Sequence, residues 1–149
     1  MADMTKADLR ALRETVGLSQ QQLADLANVS REAIKRWEND SYDWQAHPDV
    51  WALLYGLRDR QRAAVDAALD FADTMPDDDP RETVISYYRS QAQYDSCHPD
   101  GGLYTVANAT ARAIGMALEL DDLPVRYEYP HAVQDSKKTR PQCTAAACQ

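Results

Sequence analysis

Between Gly17 and Asn39 the chain carries two short amphipathic segments separated by one interruption, and this stretch constrains the fold more than any other. Ser19 is placed to cap the first helix, over 19–27, and Gln22 at its third position completes a reciprocal capping box. Leu23, Ala24 and Ala27 then point inward. Asn28-Val29 breaks the pattern, and Asn is the commonest non-glycine residue in the left-handed conformation that a sharp helix–helix turn requires. Ser30 opens the second helix, which runs through Ala33, Ile34 and Trp37 to about Asn39. A further helix precedes them over 6–16, with Thr5 as N-cap, Leu9, Leu12 and Val16 at helical spacing, and Gly17 as a natural stop.

The runs Gly17-Leu18-Ser19-Gln20-Gln21-Gln22-Leu23-Ala24 and Asn28-Val29-Ser30-Arg31-Glu32-Ala33-Ile34-Lys35-Arg36-Trp37-Glu38-Asn39 closely resemble the helix-turn-helix of the Cro/repressor family, also called xenobiotic-response-element-type. The resemblance covers roughly residues 5–55. Two departures stand in it: Asn28 replaces a glycine, which the turn tolerates, and Asp40 follows Asn39 where glycine is usual. The resemblance implies a protein that binds double-stranded DNA through the helix 30–39 in the major groove. Arg31, Glu32 and Arg36 match the positions that read bases. Arginine makes paired bonds to guanine O6 and N7, and a carboxylate accepts from cytosine N4. Their spacing puts them on one stripe opposite Ile34 and Trp37, so the alternative is an ordinary solvated face. Lys35 meets either phosphate or nothing, Gln20 and Asn39 match backbone-approaching positions, and Ser30 is a cap first and a phosphate ligand second. Arg13 and Glu38 match a charge pair that ties the first helix to the third.

Charge tempers this reading. The chain is −8 overall, but residues 1–40 carry six basic and seven acidic side chains, so the acid lies behind the helix-turn-helix. Residues 41–75 are −3, residues 76–129 are −6, and 130–149 are +2. A general polycation is excluded; a small local DNA-facing patch is not. No apolar run approaches the ~20 residues of a membrane span, and the N-terminal residues lack the apolar core of a secretory signal. A cytoplasmic protein is therefore expected.

Pro48 and Asp49 suit the first turn of a helix that continues to about Thr74, one continuous element despite Gly56. Its stripe is Val50, Leu53, Leu54, Leu57, Gln61, Ala64, Val65, Ala68, Leu69 and Ala72. Residues 75–80 are a proline-bounded acidic linker, 83–88 and 124–129 read as strands that pair, and 90–96 as a short helix. His98-Pro99-Asp100-Gly101-Gly102 is a turn. Residues 103–120 form a second strong helix with Val106, Ala107, Ala113, Ile114, Ala117 and Leu118 as its buried stripe, and the polar tail 130–149 reads as disordered. The expected fold is mainly α: an N-terminal helix-turn-helix bundle with a long helix (1–75), then a small α+β region (76–129) with a two-stranded sheet. This order is also similar to that of small YdiL-like bacterial regulators, loosely so beyond residue 75.

Trp37 and Trp51 are expected in the core, with Trp44 open. Asp95-Ser96-Cys97-His98 does not form a catalytic pattern, since adjacent Cys and His side chains diverge and no acid orients the base. Cys97, Cys143 and Cys148 are an odd set of free thiols without zinc-finger spacing. Neither an enzyme nor a cofactor is expected. Since specificity in such proteins comes from two half-sites about 34 Å apart, a homodimer is expected, built on Val65, Ala68, Leu69 and Ala72; the alternative cover for that stripe is the helix 103–120 of the same chain. The rival function is an antitoxin-like module whose acidic region 76–129 binds a protein partner.

Overall fold

A computed structural model describes residues 4–76, 78 and 82–131. Its order is α1 (Lys6–Thr15), α2 (Gln20–Ala27), α3 (Arg31–Trp37), α4 (Pro48–Asp73), β1 (Thr83–Ser86), α5 (Gln91–Cys97), α6 (Tyr104–Leu120) and β2 (Val125–Glu128). The expected mainly α fold with a small two-stranded sheet is what the chain adopts. Packing divides it into two compact units, Met1–Gln61 and Arg62–Gln149, with the division inside α4. The tail beyond residue 131, with Cys143 and Cys148, lies outside the described residues, as does much of the acidic linker.

Helix ends in the first unit follow from the residues at them. The Thr5 hydroxyl accepts from the Asp8 N–H at 3.1 Å while the Asp8 carboxylate accepts from the Thr5 N–H at 2.8 Å. That backbone hydrogen bond, helped by the Thr5 hydroxyl, holds the Asp8 carboxyl below its ordinary range. Ser19 and Gln22 form the same reciprocal box at α2. Gly17 takes φ +85° after α1, a conformation in which a Cβ would be strained. The enclosed apolar side chains are Leu9, Val16, Leu18, Leu23, Ala24, Ile34, Val50 and Leu54. Gln61 interrupts the apolar stripe of α4 for a reason: it is buried, and its amide donates to the Thr15 carbonyl at 2.9 Å, satisfying a carbonyl at the end of α1. Trp37 and Trp51 are half-buried rather than core residues, and Trp44 is 55% exposed. The core positions near them are taken by Ile34, Val50 and Leu54, all at 3% exposure or less.

The second unit is built on Ala68, Ile85, Ala111, Ile114 and Leu118, with Ala64, Val65, Leu69 and Ala72 of α4 packed against them. The far half of the α4 stripe is thus covered within the chain by α6 and β1, and the dimer interface expected there is corrected. β1 and β2 pair in parallel, Thr83 opposite Val125 and Ser86 opposite Glu128. Parallel pairing needs a crossover longer than a tight turn, and α5 and α6 supply it.

The buried face of α6 also differs from expectation. Asn108, Ala109, Ala111, Ile114, Gly115 and Leu118 are buried, whereas Val106, Ala107, Ala113 and Ala117 are only half-buried. Two contacts turn the helix this way. Asn108 Oδ1 accepts from the Tyr88 N–H and its Nδ2 donates to the Tyr88 carbonyl, each at 2.8 Å, so a polar side chain belongs inside. Gly115 lets the Tyr127 hydroxyl stand where a Cβ would be, and burial there pushes the Tyr127 phenol up from its ordinary value. Asn108→Ala would remove both hydrogen bonds that the amide makes to the Tyr88 backbone, and we expect about 2–4 kcal/mol of lost stability. Urea unfolding of the full chain checks this; a loss below about 0.5 kcal/mol would show that water replaces the amide.

Candidate nucleic-acid interface

The α2–α3 turn has the geometry its residues dictate. Asn28 sits in the left-handed region at φ 54°, ψ 45°, and the Val29 N–H returns to the Ala24 carbonyl at 3.0 Å. Ser30 then caps α3, its hydroxyl accepting from the Ala33 N–H at 3.2 Å. With Ile34 fully buried, the helical period turns Arg31, Glu32 and Lys35 outward, and all three are exposed. Arg36 lies at the edge of this face, its side chain 37% exposed.

A buried ion pair holds α3 in that orientation. Arg13 Nε meets Glu38 Oε1 at 2.5 Å and Nη2 meets Oε2 at 3.1 Å, a two-pronged contact between side chains 8% and 5% exposed. The remaining prong of Arg13, Nη1, donates to the Leu18 carbonyl at 2.7 Å, and Gln20 Nε2 donates to Glu38 Oε2 at 2.9 Å. The charge pair expected from the sequence is therefore the centre of a network that joins α1, the loop after it, α2 and the end of α3. Gln20, expected at phosphate, has its amide turned to this scaffold instead, which the sequence did not signal.

On the outer face the charges are uneven. Glu32 lies 3.5 Å from Lys35 Nζ and 3.6 Å from Arg36 Nε, so one carboxylate tempers two cations. Arg31 is exposed and has no hydrogen-bond or ion-pair partner among the described residues. Asn39 Oδ1 accepts from the Ser41 N–H at 2.8 Å, shaping the exit from α3 where Asp40 stands in place of the usual glycine. Lys6 went unnoticed in the sequence: its Nζ donates to the Trp44 carbonyl at 2.5 Å and to the Arg36 carbonyl at 3.4 Å, fastening the loop after α3 to α1. The candidate residues Arg31, Glu32, Lys35 and Arg36 thus share one face. Ser30 stands at the helix start, and Gln20 and Asn39 are engaged within the fold.

Elsewhere the Cys97–His98 pair is split as expected, with His98 Nε2 2.6 Å from the Tyr88 hydroxyl and Cys97 Sγ 3.8 Å from Ser96 Oγ. No three His, Cys, Asp or Glu side chains gather to hold a metal ion among the described residues, and none of their helices is long and apolar enough to cross a membrane.

Removing one partner of the central pair exposes the cost of burying the other. We expect Arg13→Met to destabilise the chain by about 3–5 kcal/mol, and Arg13→Met with Glu38→Leu to recover much of that loss. Thermal and urea unfolding of the two variants measure this; a single substitution costing under about 1 kcal/mol would place the pair among solvated surface contacts.

A family model described as helix-turn-helix matches residues 9–44, spanning α1, α2, α3 and the loop that follows. A comparison with curated proteins gives no match. The matched segment, its left-handed turn at Asn28 and its cationic outer helix agree with one another: residues 9–44 form a helix-turn-helix similar to that of the Cro/repressor type, a class of domain that binds DNA.

Proposed function

We propose that the chain is a sequence-specific transcriptional regulator that reads the major groove of double-stranded DNA with α3. The observation that carries this is the fixed outward face of α3, where Arg31 stands free of any partner among the described residues while the Arg13–Glu38 pair holds the helix from behind. Arg31 and Arg36 are the base-reading arginines, and Glu32 is the acceptor for a cytosine amino group. Lys35 adds charge toward phosphate, with Ser30 at the helix start where a backbone contact forms, while Gln20 and Asn39 hold the flanks of α3 in place through Glu38 and Ser41. Attraction to phosphate supplies most nonspecific affinity. Residues 1–40 have a net charge of −1 and Glu32 tempers two of the α3 cations, so nonspecific binding is weak and depends only modestly on salt. Selection from a randomised duplex pool tests the reading. The wild type enriches one motif; Arg31→Ala and Arg36→Ala each lose preference at one base pair, at about 1–3 kcal/mol of discrimination. No enriched motif, or one unchanged in both variants, overturns it.

The same reading asks for two copies, because one module reaches few base pairs and half-sites lie about one helical turn apart. The α4 stripe is occupied inside the second unit, so it does not serve as the interface. The second unit instead leaves Met116 and Leu120 uncovered, 66% and 80% exposed and one helical turn apart on α6. We place self-association there. Light scattering over a concentration series should give twice the chain mass for the wild type, and the chain mass for Leu120→Asp at the same concentrations. A wild type that stays at the chain mass throughout removes the dimer from the proposal.

A further inference from the structure

The aromatic side chains of the loop after α3 converge on one guanidinium. Arg36 Cζ lies 5.1 Å from the centre of the Trp44 ring and 5.8 Å from that of Tyr42, both within cation–π reach. Trp44 is 55% exposed and Tyr42 42%, so neither is held in place as a core residue. The backbone that carries Trp44 is nevertheless fixed, because Lys6 Nζ bonds both the Trp44 and the Arg36 carbonyls. Glu32 Oε1 stands 3.6 Å from Arg36 Nε. Arg36 Nε is itself covered and makes no hydrogen bond.

We propose that Trp44 and Tyr42 are positioning residues that hold the Arg36 guanidinium ready for base reading and thereby set specificity at the base pair Arg36 contacts. This rests on the DNA-reading role given to α3 above. The warrant is the way the guanidinium is enclosed. With Nε covered, the two terminal nitrogens remain as the edge for a ligand, the pair that matches O6 and N7 of one guanine. A planar fork laid near aromatic rings has already lost much of its rotamer freedom, so less is lost on binding. Arg31 is exposed and has no such support among the described residues. The loop's own charges favour this role over phosphate attraction, since Asp40 precedes the aromatic pair and Asp43 lies between its two members, and both repel the DNA backbone.

The test uses the full chain and a randomised duplex pool, with wild type, Arg36→Ala, Trp44→Leu and Trp44→Phe side by side. Trp44→Leu keeps apolar bulk but removes the π face; it should lose preference at the base pair that Arg36→Ala also loses, and retain the preference due to Arg31. Its affinity for the wild-type motif should fall about three- to tenfold, the range a cation–π contact supports. Trp44→Phe should restore most of both, which a general loss of fold would not allow. Proton NMR of the unbound protein gives an independent readout: the Arg36 side-chain protons are shifted by the Trp44 ring current in wild type and return toward ordinary values in Trp44→Leu. A Trp44→Leu motif identical to wild type, or unshifted Arg36 protons, overturns the positioning role and leaves the DNA reading intact. A wild type that enriches no motif overturns the DNA reading, and the positioning role with it.

Discussion

The carboxylate of Glu38 is where the first three helices are held to one another. It accepts two hydrogen bonds from Arg13 and one from Gln20, while Arg13 reaches on to the Leu18 carbonyl. Burying two charges is costly, and apolar residues of similar volume often hold a core as well or better. What apolar contact does not impose is an angle. Leu23, Ile34 and Leu54 would tolerate a small rotation of α3, whereas a planar fork on a planar carboxylate, placed at the C-cap of α3, fixes rotation about the helix axis. The direction of Arg31, at the opposite end of the same short helix, follows from that fixed rotation.

The outer face then carries its charges in a particular order. Arg31 is unpaired among the described residues, Lys35 and Arg36 share Glu32, and Arg36 is also enclosed by two rings. Such a face has little to offer a phosphate backbone at random, and more to offer a pattern of donors and acceptors on base edges. The acid elsewhere in the chain acts in the same direction, adding repulsion that only well-matched contacts offset.

Local chemistry was legible in the sequence; the rotation of helices against their neighbours was less so. Thr5, Ser19, Ser30 and Asn28 announced their roles because caps and left-handed turns depend on residues within three or four positions. The Arg13–Glu38 pair was legible through the family resemblance, since nothing local brings residues 25 apart in sequence together. Apolar periodicity alone misplaces the face of α6, because it weighs alanines as core and an asparagine as surface. Asn108 is inside because it completes the Tyr88 backbone, a partner twenty residues away. The α4 stripe is ambiguous for a related reason: Ala68 and Leu69 need a cover, and the pattern alone does not say whether it comes from α6 or from another copy. Gln20, Lys6 and the Trp44 ring were beyond reach because each meets its partner across a loop whose path sequence does not specify.

The Asn108 contact has one more consequence, for the sheet. In a strand, successive backbone groups face opposite sides. Thr83 and Tyr87 donate toward β2, so the backbone groups of Val84, Ser86 and Tyr88 face the other way, along the open edge of β1. Asn108 takes both groups of Tyr88 and acts as a one-residue strand that ends the edge there. Among the described residues of β1 this leaves Val84 and Ser86 as edge groups, a short run for a foreign strand to pair with on that side of the sheet.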